Sequence, residues 1–403
     1  MIYFAIIFLF AVVSAISSGR VDLLVFPSVE TSRSGVKTIK FRALNEEIEV
    51  KLEPAGEILA ENFALFDANN RILDSIDIQD LKRQMYRNST NGAALLIDEE
   101  GPGPVTIHGI VNSNLRIEPY ESGKTNEDGR IPHQIVEVIS EKNSFGHDGV
   151  MPMGVKETIE KMEIMARDDQ CIVVEYLILA ESNFTKYFKK EESLVKYISR
   201  LFIEVQNIID TLELGIKLSV LGITSYTKET DPSYIQGSAI SGYERYLHAS
   251  ELLHNMGKYY CKHSTGLAVD ADIIMLIVNR KMGRLNDDNT VKLNVLGVAY
   301  TTGVCKKCYK VGIVSIDPHN YHRANIVAHE SAHLLGSVHD GEDAKELGFP
   351  GIPGALDCPA SDGYIMGGRR NGNENKFSKC SKECVKYTLS KSSCVIEEDC
   401  KSY

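Results

Sequence analysis

The stretch His329-Glu330-Ser331-Ala332-His333-Leu334-Leu335-Gly336-Ser337-Val338-His339-Asp340 decides how the rest of the 403-residue chain is read. Histidines at i and i+4 leave one face of a helix together, so His329 and His333 are expected to grip a single metal ion. Ile326, Val327 and Ala332 are expected to bury the helix's other side. Gly336 falls where the helix must stop, and a glycine there takes a positive φ and turns the chain back. That turn brings in His339 as third ligand. Three imidazoles leave the fourth tetrahedral position open to water, as in a catalytic rather than a structural zinc site. Glu330, next to the first ligand, is the expected general base. Zinc brings the pKa of its bound water from about 15.7 to near 7, and a carboxylate can take that proton and hand it to a leaving amine.

Six fixed residue types at this spacing coincide on the order of 10⁻⁹ times per starting position at ordinary composition. The bland reading, in which these are surface side chains or a metal site without catalysis, is therefore disfavoured. A distant glutamate as third ligand is not needed, because His339 fills that role. Met366, within Tyr364-Ile365-Met366-Gly367, follows His339 by 27 residues. It is the candidate for the Met-turn expected after such a histidine triad.

Outward from this motif the pattern alternates. Residues 172–179 form a nearly continuous apolar run, as in a strand covered on both faces. Leu194, Tyr197, Ile198, Leu201, Phe202, Val205, Ile208 and Ile209 fall at helical spacing. A strand at 216–223, a helical stretch around 243–253, an apolar run at 273–278 and a strand pair at 293–299 and 311–315 follow. The class is α/β. By contrast, residues 21–139 alternate in short segments such as 38–41, 48–52 and 105–111, which predicts a β-rich, cysteine-free first domain. Residues 141–153 read as a linker.

The first sixteen residues are almost wholly apolar and are followed by Ser17 and Ser18, a signal-peptide pattern with cleavage after Ala15 or Ser18. A buried first strand is the alternative. No later run is long enough to span a bilayer, so no membrane anchor is expected. All nine cysteines lie between Cys171 and Cys400; in a secreted chain they predict disulfides with one thiol left over, their pairing open. Cys305 and Cys308 form a C-x-x-C without the second pair that a structural zinc site requires. A net charge of −11 argues against nucleic acid or an anionic membrane as partner and leaves a protein or peptide.

With these residues in view the chain resembles the adamalysin or reprolysin branch of the metzincins, and within it the secreted salivary metalloproteases of ticks. The histidine motif ending in Asp340 marks that branch. Residues 296–305 (LGVAYTTGVC) look like its cleft-lining edge strand, and 376–384 (KFSKCSKEC) like the start of its closing helix. Residues 114–119 (NLRIEP) with 128–133 (DGRIPH) look like the propeptide of the tick enzymes.

The resemblance implies a zincin-like catalytic domain with a twisted five-stranded mixed sheet and helices, preceded by a β-rich propeptide. Residues 1–18 would be a signal peptide, 19–165 the propeptide, and 166–403 the catalytic domain with a short cysteine-containing tail. It implies one Zn2+ on His329, His333 and His339, catalysis by Glu330, and a structural Ca2+ at Glu175 and Asp272. The product would be a secreted monomer cutting extracellular proteins such as fibrinogen, fibrin or gelatin, with substrate added as a strand beside residues 297–299.

Three departures stand out. No cysteine precedes Cys171, so a cysteine switch is not expected; Arg167 stands alone, without a dibasic activation site; and no disintegrin domain is expected after Cys400. Two other readings stay open. One is an endogenous matrix-cleaving or peptide-processing protease. The other is a non-catalytic binding protein on the same scaffold, against which the intact Glu330 argues.

Overall fold

The structure is a computed structural model, which describes residues 19–73, 76–101, 103–120, 124–138, 149–151, 171–285, 290–319, 323–368 and 371–397. The expected signal peptide and the boundary at 165/166 lie outside the described residues, as does most of the expected linker.

Residues 19–138 contribute the nine strands of an antiparallel sheet. The alternation in the sequence is the cause. Along Lys37–Ala43 every second side chain is buried, as a sheet with one covered face requires. Between Lys37–Ala43 and Glu46–Pro54 the turn residues Leu44 and Asn45 have φ of 51° and 66°, the left-handed pair of a two-residue hairpin loop. Ile39, Leu52, Leu95, Ile107, Ile117 and Ile135 fill the core of this layer.

The second sheet positions the site. Its strands are β1 (Leu59–Phe66), β2 (Gly149–Met151), β3 (Cys171–Ala180), β4 (Ile216–Ser225), β5 (Ile273–Val278), β6 (Gly297–Tyr300) and β7 (Val311–Ser315). They lie in the order β2-β6-β7-β5-β3-β4-β1, with Ile396–Glu397 paired to the start of β3. Along that path all neighbours are parallel except β6 and β7. The sheet is therefore mixed and eight-stranded. Five strands of the path come from the expected catalytic region, while β1 and β2, at its two ends, come from the expected propeptide. Residues from both sides of the expected boundary thus share one sheet, so the region expected to be a separate β-rich propeptide supplies two strands to it.

Helices α1 (Glu191–Ile209) and α3 (Arg323–Leu334) share a core with Val174, Tyr176, Ile178, Ile273, Met275 and Ile277. Helix α2 (Ala249–Lys262) shares another with Leu177, Leu179, Ile274, Leu276 and Val278. Alternate residues of β3 and β5 thus face opposite layers, and this is why both strands read as unbroken apolar runs. The helix expected around 243–253 is corrected at its start. Tyr243–His248 is a strand of a small four-stranded sheet, held by its pairing with Met282 and Gly283, and α2 begins only after His248, whose Nδ1 accepts from the Glu251 N–H at 3.3 Å. Among the described residues no helix is long and apolar enough to cross a membrane.

Candidate metal centre

Every residue of α3 is buried, because the helix lies between the sheet and the loops that follow it. Its C-terminus closes with two hydrogen bonds, Gly336 N–H to His333 O and Ser337 N–H to Ala332 O, both 2.8 Å. This is the pattern of a glycine-terminated helix cap. Gly336 has φ +103°, and a Cβ there would collide with Thr388 Oγ1 on helix α4 (Lys379–Leu389). Left-handed backbone and close helix approach both demand glycine at this position. The reversed chain then delivers His339.

The three expected ligands converge. Ring centroids are 4.8 Å apart for His329 and His333, 5.4 Å for His329 and His339, and 4.7 Å for His333 and His339. One ring nitrogen from each lies within 4.8 Å of the others. The opposite side of each ring is anchored. His329 Nδ1 donates to Ile365 O at 2.9 Å, His333 Nδ1 to Ser337 O at 2.8 Å, and His339 Nδ1 to Glu342 Oε2 at 3.1 Å. An Nδ1–H spent on an oxygen fixes the neutral tautomer and leaves the Nε2 lone pair for a metal. Glu342 also accepts from the His339 N–H at 3.2 Å. Burial raises the Glu342 carboxyl, but its hydrogen bonds to the ring and backbone of His339 outweigh this and hold it below the ordinary range.

Glu330 is buried to 1% exposure. A Cβ on Gly297 of β6 would collide with its Oε1, so glycine is what lets the carboxylate lie against this strand. Met366 is fully buried in the same core as Ala332 and Leu335. It belongs to a 3-10 turn, Ile365–Gly367, whose residue 365 holds His329 while the Met366 carbonyl accepts from the Asp340 N–H at 3.0 Å. The turn thereby braces His329 and the residue after His339. Asp340 Oδ1 accepts from Ser378 Oγ at 2.6 Å, and burial pushes its carboxyl up to about 6.

Glu175 and Asp272 meet elsewhere, where β3 runs beside β5. Asp272 Oδ2 accepts from the Glu175 N–H at 3.0 Å, and the Asp272 N–H donates to Glu175 O at 2.9 Å. The metal-capable neighbours of Asp272 among the described residues are Cys305 and Cys394, which a disulfide joins. Cys305 and Cys308 go to different partners, Cys394 and Cys261, and Cys358 pairs with Cys380. Among the described residues Cys384 is the free thiol, and it is buried.

Glu342 was not singled out by the sequence, and Gly297 only as part of the substrate edge, not as the residue that makes room for Glu330. The only signals they offer are an acidic residue three positions past the third histidine and a glycine inside an apolar strand.

Comparison with known proteins agrees with this geometry. Residues 172–378 match the model of metallo-peptidase family M12, reprolysin type. The chain is 52% identical to the venom metalloproteinase antarease of Tityus serrulatus over 98% of both chains, and 50% identical to an antarease-like venom metalloproteinase of Tityus trivittatus, again over 98% of both. A venom metalloproteinase of Olivierus martensii is 40% identical over 97% of this chain and 96% of its own. These relatives are venom proteins of scorpions, which moves the comparison away from tick saliva. The folded histidine triad and these matches together make the chain a zinc metalloendopeptidase that belongs to metallo-peptidase family M12, in its reprolysin branch.

Proposed function

We propose that the chain is a secreted venom zymogen whose mature form cuts peptide bonds in extracellular proteins, with His329, His333 and His339 as zinc ligands and Glu330 as catalytic base. Residues 1–18 are then the signal peptide, 19–165 the propeptide and 166–403 a catalytic part acting as a monomer. The observation that carries the reading is the convergence of three anchored imidazoles beside a buried carboxylate. That donor set fits zinc: three neutral nitrogen ligands and an open fourth position.

Zinc in this site supplies a Lewis acid and an acidified water. Glu330 takes the proton of the attacking water and returns it to the departing amine. Ile365, Ser337 and Glu342 hold the ligand rings in orientation. The edge of β6 receives the extended substrate as an added strand, close to Glu330 because Gly297 leaves room. In the zymogen β2 lies on that same edge, with Val150 opposite Ala299. This supports latency by strand occupancy in a chain with no cysteine before Cys171.

Fibrinogen, fibrin and gelatin are the proposed substrates, with venom action on an envenomed animal as the setting. A calcium ion at Glu175 and Asp272 belongs to the same reading, supported by their juxtaposition. The test is to remove the propeptide and follow gelatin and fibrinogen cleavage with and without a zinc chelator, beside Glu330→Ala. Cleavage abolished by either treatment is expected. Zinc bound with no protein cut in any form would favour a binding scaffold instead.

A further inference from the structure

Strand β1 sits on the sheet edge farthest from the cleft. It pairs with β4 through Leu59 with Val220, Ala64 with Gly222, Leu65 with Ile223 and Phe66 with Thr224. Leu59, Phe63 and Leu65 are almost fully buried. With Ile58, Leu81, Met85 and Leu96 they belong to the same core cluster as α1 and α3. Polar ties reinforce the seam. Arg87 pairs with Asp210 at 2.8 Å, Arg116 with Glu204 at 3.7 Å, and Asn207 Nδ2 donates to Ala93 O at 2.8 Å. The catalytic part is adapted to this strand. A Cβ at Gly222 would stand 2.8 Å from Phe66 Cε2 and 3.0 Å from Ala64 O on this strand, as well as 2.8 Å from Leu267 Cδ1.

Such a seam is a shared core rather than a docking face, and apolar, core-like contacts mark permanent interfaces. Cutting the chain between residues 151 and 171 breaks one peptide bond and none of these contacts. It removes only the benefit of tethering. We infer that the propeptide, once cut, stays on the catalytic part as a non-covalent subunit, with β1 as a permanent strand of the catalytic sheet. This rests on the reading of residues 19–165 as a cleaved propeptide. With no cysteine before Cys171, no disulfide can hold the two parts together. Retention at β1 is independent of β2, so the cleft edge can open while the far edge remains closed.

The experiment uses the full chain carrying Glu330→Gln, so that self-digestion cannot intervene, with a site-specific protease sequence placed between residues 151 and 171. After complete cutting, both fragments are expected to elute together in equal amounts at the mass of the uncut protein, at micromolar concentration and without reductant. The double variant Phe63→Ala, Leu65→Ala is expected to hold its propeptide fragment at least about a hundredfold more weakly, given the usual cost of truncating buried Phe and Leu. Its uncut form is checked first by thermal melting. If that variant does not fold, the uncut-versus-cut comparison of the parent still decides.

Separation of the parent fragments on cutting overturns the inference, whether the catalytic fragment then stays soluble or precipitates. The readout is mass and stoichiometry. Lack of peptidase activity in the same cut chain with Glu330 restored would sink the proposed function and leave retention untouched.

Discussion

Nδ1 of His339 lies 3.1 Å from Oε2 of Glu342, whereas the corresponding atoms of His329 and His333 face main-chain carbonyls. Of the three proposed ligands, His339 is therefore the one whose orientation a side-chain substitution can undo. Glu342→Ala is expected to weaken zinc binding by about 10- to 100-fold, and Glu342→Gln, which keeps an acceptor without the charge, by less. Competition with a chromogenic chelator measures this without any substrate. Equal affinity in all three proteins would mean that the carboxylate does not support the ligand.

Gly297 makes room for Glu330, the proposed base. In Gly297→Ala the new methyl meets Glu330 Oε1, and the carboxylate must move while the three histidines keep their anchors. Zinc content should be unchanged and kcat should fall by about a hundredfold, the scale of a 1 Å misplacement. Metal analysis beside steady-state kinetics separates this from simple loss of the ion.

Gly336 carries a different burden. With φ +103° and Thr388 against it, Gly336→Ala adds left-handed strain to a collision in the core. The expected cost is about 3 kcal/mol or more. A lower melting temperature together with weaker zinc binding is the result to look for, since the same turn delivers His339.

Cys384 is buried, and burial pushes its thiol up from the ordinary range. Reaction needs the thiolate, so alkylating reagents should leave Cys384 unmodified in the native protein and label it after denaturation. Peptide mass spectrometry checks the site directly. Rapid labelling of the folded chain would contradict the packing of α4.

Much of the site was legible because it is local. An i, i+4 pair, a terminating glycine and a third histidine lie within eleven residues, and helix geometry alone brings them together. The apolar runs at 172–179 and 273–278 were equally plain, since burial on both faces leaves no polar position. What was not legible depends on partners distant in sequence. Tyr243–His248 becomes a strand because Met282 and Gly283 pair with its end, and Glu342 matters because the reversed chain after Gly336 places it under His339. Likewise, nothing within residues 59–66 announces that their neighbour is Ile216–Ser225 rather than the antiparallel sheet around them.

The contact between Phe66 and Gly222 sets a rule of inheritance. A larger side chain at 222 would meet Phe66 Cε2 and Leu267 Cδ1 equally, each 2.8 Å from its Cβ, and the proposed cleavage would leave those two neighbours on different polypeptides. Under that cleavage, a propeptide and a catalytic part from diverged relatives would fit each other only where Phe66, Gly222 and Leu267 stay matched, so that the two halves descend as one unit even where processing makes them two.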